Sequence, residues 1–324
     1  MPKASTTNVL FTSIYNKVFL VESFRQAYRR LKISGRIIAV DIDPFSAGLQ
    51  FADRGYLAPR LDDKKFLPKA LEICRQEKIK LIIPTRDEDL LYFSRIQDRL
   101  DKLNIKILVA PAESVITCQD KWKFYQFLKQ NNFPLIKTWR EYNQQINFPC
   151  LVKPRTGKAA QGVLVVKNKL ELNKVNLQGK IIQEKVAGEE YTIDYFADFK
   201  AQPICLVPRL RYKIVDGESK IGITKDEPEI VKWSRELGKK LKLIGHNTIQ
   251  CFKTPAGRIK FLEVNPRFGG GAPLGFAAGC QSPEWILRML KGEKVKPVKK
   301  VKINLVMLRH NADIFAPYDK INHF

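Results

Sequence analysis

The 324-residue chain has no run of apolar residues approaching the ~20 that a membrane-spanning helix needs, which excludes a bilayer-crossing helix. Its first residues lead into Val9-Leu10-Phe11, which Thr12 and Ser13 interrupt at once, so no apolar core of signal-peptide length forms. Export is not expected, and the cytoplasm is the expected compartment. Histidine is scarce, with only His246, His310 and His323, and the six cysteines (Cys74, Cys118, Cys150, Cys205, Cys251, Cys280) stand singly without a CxxC pair. That spacing excludes a conventional zinc site or disulfide frame and reads as reduced core thiols. Glycine is missing from the turn after the first apolar run, Thr12-Ser13-Ile14-Tyr15-Asn16-Lys17, where a dinucleotide-binding fold needs close backbone approach. Nucleotide binding by that turn is therefore not expected.

What remains is a chain long enough for two or three packed units, because single cores stop growing at roughly 250–300 residues. With 57 Lys and Arg against 33 Asp and Glu, the net charge is +24. Residues 1–113 hold 20 basic and 14 acidic residues, a balance of +6, which leaves +18 for the rest. The densest run, residues 291–302, has six lysines but no interleaved aromatics on which single-stranded nucleic acid would stack. A solvated basic face is the preferred reading, and nucleic acid is not the expected partner.

Over the first 110 residues, β-rich runs at 8–12, 36–41, 81–84 and 106–110 alternate with helical-period segments at 19–31, 66–77 and 90–100. This predicts a doubly wound α/β unit. The stretch Pro84-Thr85-Arg86-Asp87-Glu88-Asp89 falls at a strand's carboxyl end, where such sheets present ligand loops. It also suits a helix N-terminus, whose dipole favours acids. Beyond Pro111 a helix is predicted at 121–131, then strands at 150–154, 163–166, 180–185, 190–197, 201–211 and 220–224. A helix at 229–241 and two further strands at 247–254 and 258–265 follow, the last two joined by a turn at Thr254-Pro255-Ala256-Gly257.

Three segments carry chemistry. Val152-Lys153-Pro154 is followed by a loop containing Gly157 and Gly162 and then by another strand, a phosphate cradle in which glycines permit positive φ and Lys153 supplies charge. Gln183-Glu184-Lys185-Val186 and Glu190-Tyr191-Thr192-Ile193-Asp194 place acids near a free backbone edge, which suits adenine and ribose. Gln250, Glu263 and Asn265 offer oxygen ligands on one face of a predicted hairpin, adequate for magnesium when substrate phosphates complete its shell. Arg267 and Gly269-Gly270-Gly271 come next, where a cation could stabilise a transferring phosphoryl group and the chain could pass close to an acceptor. Arg209 and Arg211 share a strand face and could clamp a carboxylate bidentately, a reading weighed against a plain surface strand.

In this order, together with Asp120-Lys121, these motifs resemble the ATP-grasp superfamily, and within it the single-chain members similar to carbamoyl phosphate synthase. The resemblance covers about residues 115–290, and residues 8–110 look like that family's preceding α/β domain. It implies an α/β and α+β chain: a Rossmann-like pre-ATP-grasp domain (1–113), a two-lobed ATP-grasp fold (114–295) with a lid at about 150–190, and a C-terminal strand and tail segment (296–324). It further implies that Lys121 and Lys153 contact ATP phosphates, that Glu184 and Val186 form the adenine hinge with Gln183 and Lys185 beside it, and that Glu190 holds ribose. Gln250, Glu263 and Asn265 would bind Mg²⁺. Gln250 stands where relatives can carry a carboxylate.

The implied activity is ATP- and Mg²⁺-dependent ligation of a small carboxylate to an amine or ammonia through an acyl phosphate, by a protein that forms a homodimer. Alternatives are half of a split carbamoyl-phosphate-synthase-type enzyme, or a catalytically silent ATP-binding or nucleic-acid-binding protein.

Overall fold

The computed structural model describes residues 6–157 and 161–321. Five parallel strands, β1 (Asn8–Thr12), β2 (Ile37–Asp41), β3 (Arg54–Leu57), β4 (Ile79–Pro84) and β5 (Lys106–Ile107), lie in the order β3-β2-β1-β4-β5. Every residue of β1 and β2 is buried, as expected of strands with helices on both faces. The helix Val18–Leu31 buries Leu20, Val21, Phe24, Ala27 and Tyr28 at three- and four-residue steps against that sheet. Strand β3 was not anticipated from sequence. Its four residues include Arg54 and Gly55 and are only partly buried at the sheet edge, so no apolar run announces it. The segment predicted as one helix over 90–100 is two, Asp87–Arg95 and Gln97–Asp101.

Two antiparallel sheets follow. The smaller contains β6 (Thr138–Trp139), β7 (Cys150–Pro154), β8 (Leu164–Val166) and β9 (Lys180–Glu184) in the order β6-β9-β7-β8. It keeps its own core of Ile146, Cys150, Val152, Val166, Leu172 and Ile182. The larger contains β10 (Glu189–Ala197), β11 (Pro203–Val215), β12 (Glu218–Thr224), β13 (Gly245–Lys253), β14 (Ile259–Asn265) and β15 (Val306–Leu308), ordered β14-β13-β10-β11-β12-β15. Strand β11 runs four residues beyond its predicted end because Asp216 and Gly217, with φ of 51° and 75°, close a tight hairpin to β12.

The larger sheet shares its core with the N-terminal domain. Tyr191, Ile193 and Ile249 belong to the same apolar cluster as Leu10 and Ile82, and Phe24 meets Phe268 edge-on at 6.4 Å. All six cysteines are buried and free. Among the described residues no helix is long and apolar enough to cross a membrane.

Candidate active site

Antiparallel register lines the chemistry up on one face of the large sheet. Gln250 lies opposite Glu263 across β13 and β14, and opposite Thr192 across β13 and β10; Thr192 in turn faces Arg209 on β11. Thr248 pairs with both Asn265 and Asp194. Directly opposed residues share a face and the side-chain period is two, so Glu190, Thr192, Asp194, Arg209, Arg211, Thr248, Gln250, Glu263 and Asn265 all point to the same side. Of these, Thr192, Arg209, Arg211, Thr248, Gln250, Glu263 and Asn265 form the floor of a cleft of about 1170 Å³ whose wall comes from the N-terminal domain through Asn16, Lys17, Phe19, Thr85, Arg86 and Asp87.

The small lobe supplies Lys153, 6% exposed at the end of β7. Burial lowers its ammonium to about 8, with nearby Lys121 acting in the same direction and Glu263 and Glu190 opposing it. Lys153 therefore sits within electrostatic reach of both the other proposed phosphate lysine and the proposed metal carboxylate. The Lys121 ammonium donates to the Gly157 carbonyl at 3.0 Å. Asp120 caps that lysine's helix by accepting from the Trp122 and Lys123 amides at 2.9 and 3.2 Å, and it pairs with Arg155. Gly157 and Gly162 adopt φ of 121° and 69°, conformations a side chain would oppose. Lys158, Ala159 and Ala160, at the loop's centre, lie outside the described residues.

Glu263 accepts from the Asn265 amide at 3.0 Å, and the Arg211 guanidinium donates to the Gln250 side-chain oxygen at 3.5 Å and to Glu190. Burial raises the Glu190 carboxyl, Arg211 counters it, and Glu263 pushes it further up. A carboxylate raised by a like charge in this way favours a nearby cation, and Arg211 supplies one to Glu190.

The other predicted residues are distributed differently. Gln183 turns its amide inward to Thr138 Oγ1 at 3.0 Å, buried in the small lobe. Glu184 bonds Lys260 on β14, and Lys185–Val186 leave the sheet in the strand-to-strand passage to β10.

Arg209 corrects the surface-strand alternative, since it is 2% exposed. Its Nε and Nη2 bind both oxygens of Asp194 at 2.6 and 2.8 Å. The Asp194 carboxylate also meets His246 Nε2 at 3.3 Å, and His246 Nδ1 meets the Ser282 hydroxyl at 2.9 Å. Burial would raise Asp194, but Arg209 and His246 outweigh it and hold the carboxyl below its usual range. The joint bidentate clamp expected of Arg209 and Arg211 is thus not formed, because Arg209 is committed to Asp194 and Arg211 to Glu190 and the Gly217 carbonyl.

The glycines also carry a different duty from the one expected. A Cβ on Gly271 would stand 2.4 Å from Arg209 Nη1, and one on Gly269 would stand 2.5 Å from Thr248 Oγ1. They let the chain close over the buried ion pair.

Arg267 bonds Asp87 through Nε and Nη2 at 2.8 and 2.7 Å, so the acidic stretch flagged at β4's end is both a helix N-terminus and a site contact. Sequence reasoning passed over Lys17, which had been noted only as the end of a glycine-free turn. That turn holds Ser13 and Tyr15 at positive φ (50° and 43°), at a cost of roughly 1–2 kcal/mol per residue. Thr12 and Ser13 donate their hydroxyls to Asp89 at 2.6 and 3.0 Å, and the Tyr15 amide donates to Asp41 at 2.7 Å. These carboxylates do what glycine does elsewhere.

Two family models match the chain: "PylC-like, N-terminal domain" over residues 9–108, and "ATP-grasp in the biosynthetic pathway with Ter operon" over residues 176–311. The chain is 26% identical over 229 residues to the carbamoyl phosphate synthase large chain of Clostridium acetobutylicum, covering 62% of this chain and 21% of that one. It is 25% identical over 170 residues to the D-alanine–D-alanine ligase of Petrotoga mobilis, covering 48% and 56% respectively. The chain thus spans less than two thirds of the length of these curated relatives. The biotin carboxylase domain dimer of Hydrogenobacter thermophilus 2-oxoglutarate carboxylase, solved with MgADP, ADP and bicarbonate, superposes with a TM-score of 0.73 at 14% identity, over 92% of this chain and 73% of that one. Motif order, sheet architecture and family matches agree on an ATP-grasp fold, with residues 176–311 matching an ATP-grasp family and residues 9–108 a PylC-like N-terminal domain.

Proposed function

We propose that this protein is an ATP- and Mg²⁺-dependent ligase that activates a small carboxylate as an acyl phosphate, which an amine or ammonia then attacks. The observation that carries this reading is the electrostatic proximity of small-lobe Lys153 to Glu263 and Glu190 of the large sheet, with Glu263, Gln250 and Asn265 lining the cleft, a chamber walled by the N-terminal domain. A nucleotide between the lobes would meet cations at one end and carboxylates at the other.

In this reading Lys153 and Lys121 hold phosphate oxygens, and the loop around Gly157 and Gly162 shapes the cradle. Glu184, Lys185 and Val186, flanked by Gln183, border the adenine, and Glu190 takes the ribose. Glu263, with the amide oxygens of Asn265 and Gln250, suits magnesium, which uses one or two carboxylates plus phosphates and water. Magnesium supplies charge neutralisation to the phosphates. Arg267, oriented by Asp87, faces the chamber and offsets charge on the transferred phosphoryl group. Arg209 fixes the chamber floor through Asp194, and Arg211 orients Glu190 and Gln250. The lobe around 150–190 acts as the lid that keeps water from the acyl phosphate. Dimerisation is proposed on the family resemblance and is checked by sedimentation.

The test is phosphate release from MgATP against a panel of amino acids and small carboxylates, with and without ammonia, comparing the wild type with Glu263→Ala. Acceptor-stimulated release that the variant loses is the expected result. Binding of ATP with no stimulation by any acceptor would favour a silent nucleotide-binding protein. A second reading, a split carbamoyl-phosphate-type half, is favoured by the similarity to the carbamoyl phosphate synthase large chain. It requires stimulation by bicarbonate with ammonia alone.

A further inference from the structure

The chamber wall opposite the proposed metal ligands carries a cation that the reaction described above does not use. Lys17 follows the strained turn after β1, which Asp89 and Asp41 lock through three hydrogen bonds, so its position is set by the domain core. Among the described residues its ammonium donates one hydrogen bond, to the neutral hydroxyl of Thr85 at 3.3 Å. Its charged neighbours are Arg86 and Arg267, both cationic, and Asp87 and Asp89. The two acids are already committed, Asp87 to both sides of the Arg267 guanidinium and Asp89 to the Thr12 and Ser13 hydroxyls. Arg86 pairs with Glu88 and Arg267 with Asp87, so of the three cations that border this side of the cleft Lys17 is the one with no carboxylate ion pair among the described residues. Phe19 and Ala47 extend the same wall and provide apolar contact for a short carbon chain.

Holding a partly buried ammonium beside two guanidinium groups without a carboxylate partner of its own is costly unless an anion neutralises it. We propose that Lys17, with Arg86, forms an anchor for a second anionic group on the acceptor, so that the acceptor is a dianion: one carboxylate is phosphorylated near Arg267, and a carboxylate or phosphate at the other end of a short chain docks on Lys17. This rests on the ligase reading for the first carboxylate but not for the anchor itself. Burial supports it from another side, since it lowers the Lys17 ammonium to about 8 and a bound anion would raise it again.

The test is calorimetric titration of the full chain with glutarate and with inorganic phosphate, using wild type, Lys17→Met, which keeps the apolar stem, and Lys17→Arg, which keeps the charge. At least one probe binds the wild type, the Met variant binds it on the order of tenfold more weakly, a difference of about 1.4 kcal/mol, and Arg restores most of the loss. The tighter probe tells carboxylate from phosphate. Equal affinity in wild type and Lys17→Met, or no binding of either probe to the wild type, overturns the anchor. Phosphate release then separates the two readings. Lys17-dependent anion binding with no acceptor-stimulated release leaves the anchor standing and removes the ligase; stimulated release that is unchanged in Lys17→Met does the reverse.

Discussion

Asp87 and Arg267, 180 residues apart in sequence, form a bidentate ion pair that joins the N-terminal domain to the end of the metal-proposed strand. Neither side chain is fully buried, so the pair's stability contribution is small, and its value lies in aiming the guanidinium. Asp87→Asn is expected to lower kcat on the order of tenfold or more, with KM for ATP little changed and the melting temperature within a few degrees, because a misaimed guanidinium costs in the transition state. Steady-state kinetics on the acceptor found in the release assay check this, and an unchanged kcat would remove Arg267 from the reacting centre.

The Arg209–Asp194–His246–Ser282 chain is fully buried, and its charges compensate one another. Asp194→Asn strands the Arg209 guanidinium and should cost about 3–5 kcal/mol of stability, read by denaturant unfolding. A loss below 1 kcal/mol would mean that water reaches the pair.

Gly271→Ala drives a methyl group to 2.4 Å from Arg209 Nη1. The chain or the guanidinium must shift, at a cost of roughly 1–3 kcal/mol. Gly257→Ala meets no atom within 4 Å, but its φ of 76° makes the substitution costly through backbone strain alone. Melting temperatures of the two variants, with activity, separate the causes: only Gly271→Ala should alter turnover.

Burial, with Lys121 acting in the same direction, lowers the Lys153 ammonium to about 8. ATP binds the protonated form, so bound phosphates raise the ammonium's pKa above its free value. Nucleotide affinity is then full below pH 8 and weakens as pH rises past 8. Fluorescence titration with a labelled ATP analogue between pH 6.5 and 9.5 measures this, and Lys153→Arg should abolish the decline. A flat profile in the wild type would take Lys153 away from the phosphates.

Much of this arrangement is legible in sequence. The period of two placed Glu263 and Asn265 on one face, and β1, β7 and β14 were found within a few residues, β1 from a continuous apolar run and β14 from its alternation of apolar and polar residues. The edge strand β3 was not found, since an exposed Arg54 and Gly55 leave only Tyr56 and Leu57, both partly buried, as an apolar signal. Asp216-Gly217 offered a hairpin signal that the strand boundaries ignored. The partners of Arg209 and Arg211 could not be read, because strand alternation gives the face of a residue but not its neighbour on the next strand. Lys17 was hidden for a related reason. A glycine-free turn argues against a dinucleotide site, yet carboxylates from β2 and from the helix after β4 can hold the same left-handed backbone and leave a cation at its end.

The small lobe's separate core has a thermodynamic corollary. Among the described residues the Glu184–Lys260 ion pair and the charges that converge on Lys153 link it to the large sheet. Swinging it away would leave that core intact and break those charge contacts, so the free energy of opening has a coulombic part. Such an equilibrium responds to ionic strength, and added salt would favour the open arrangement.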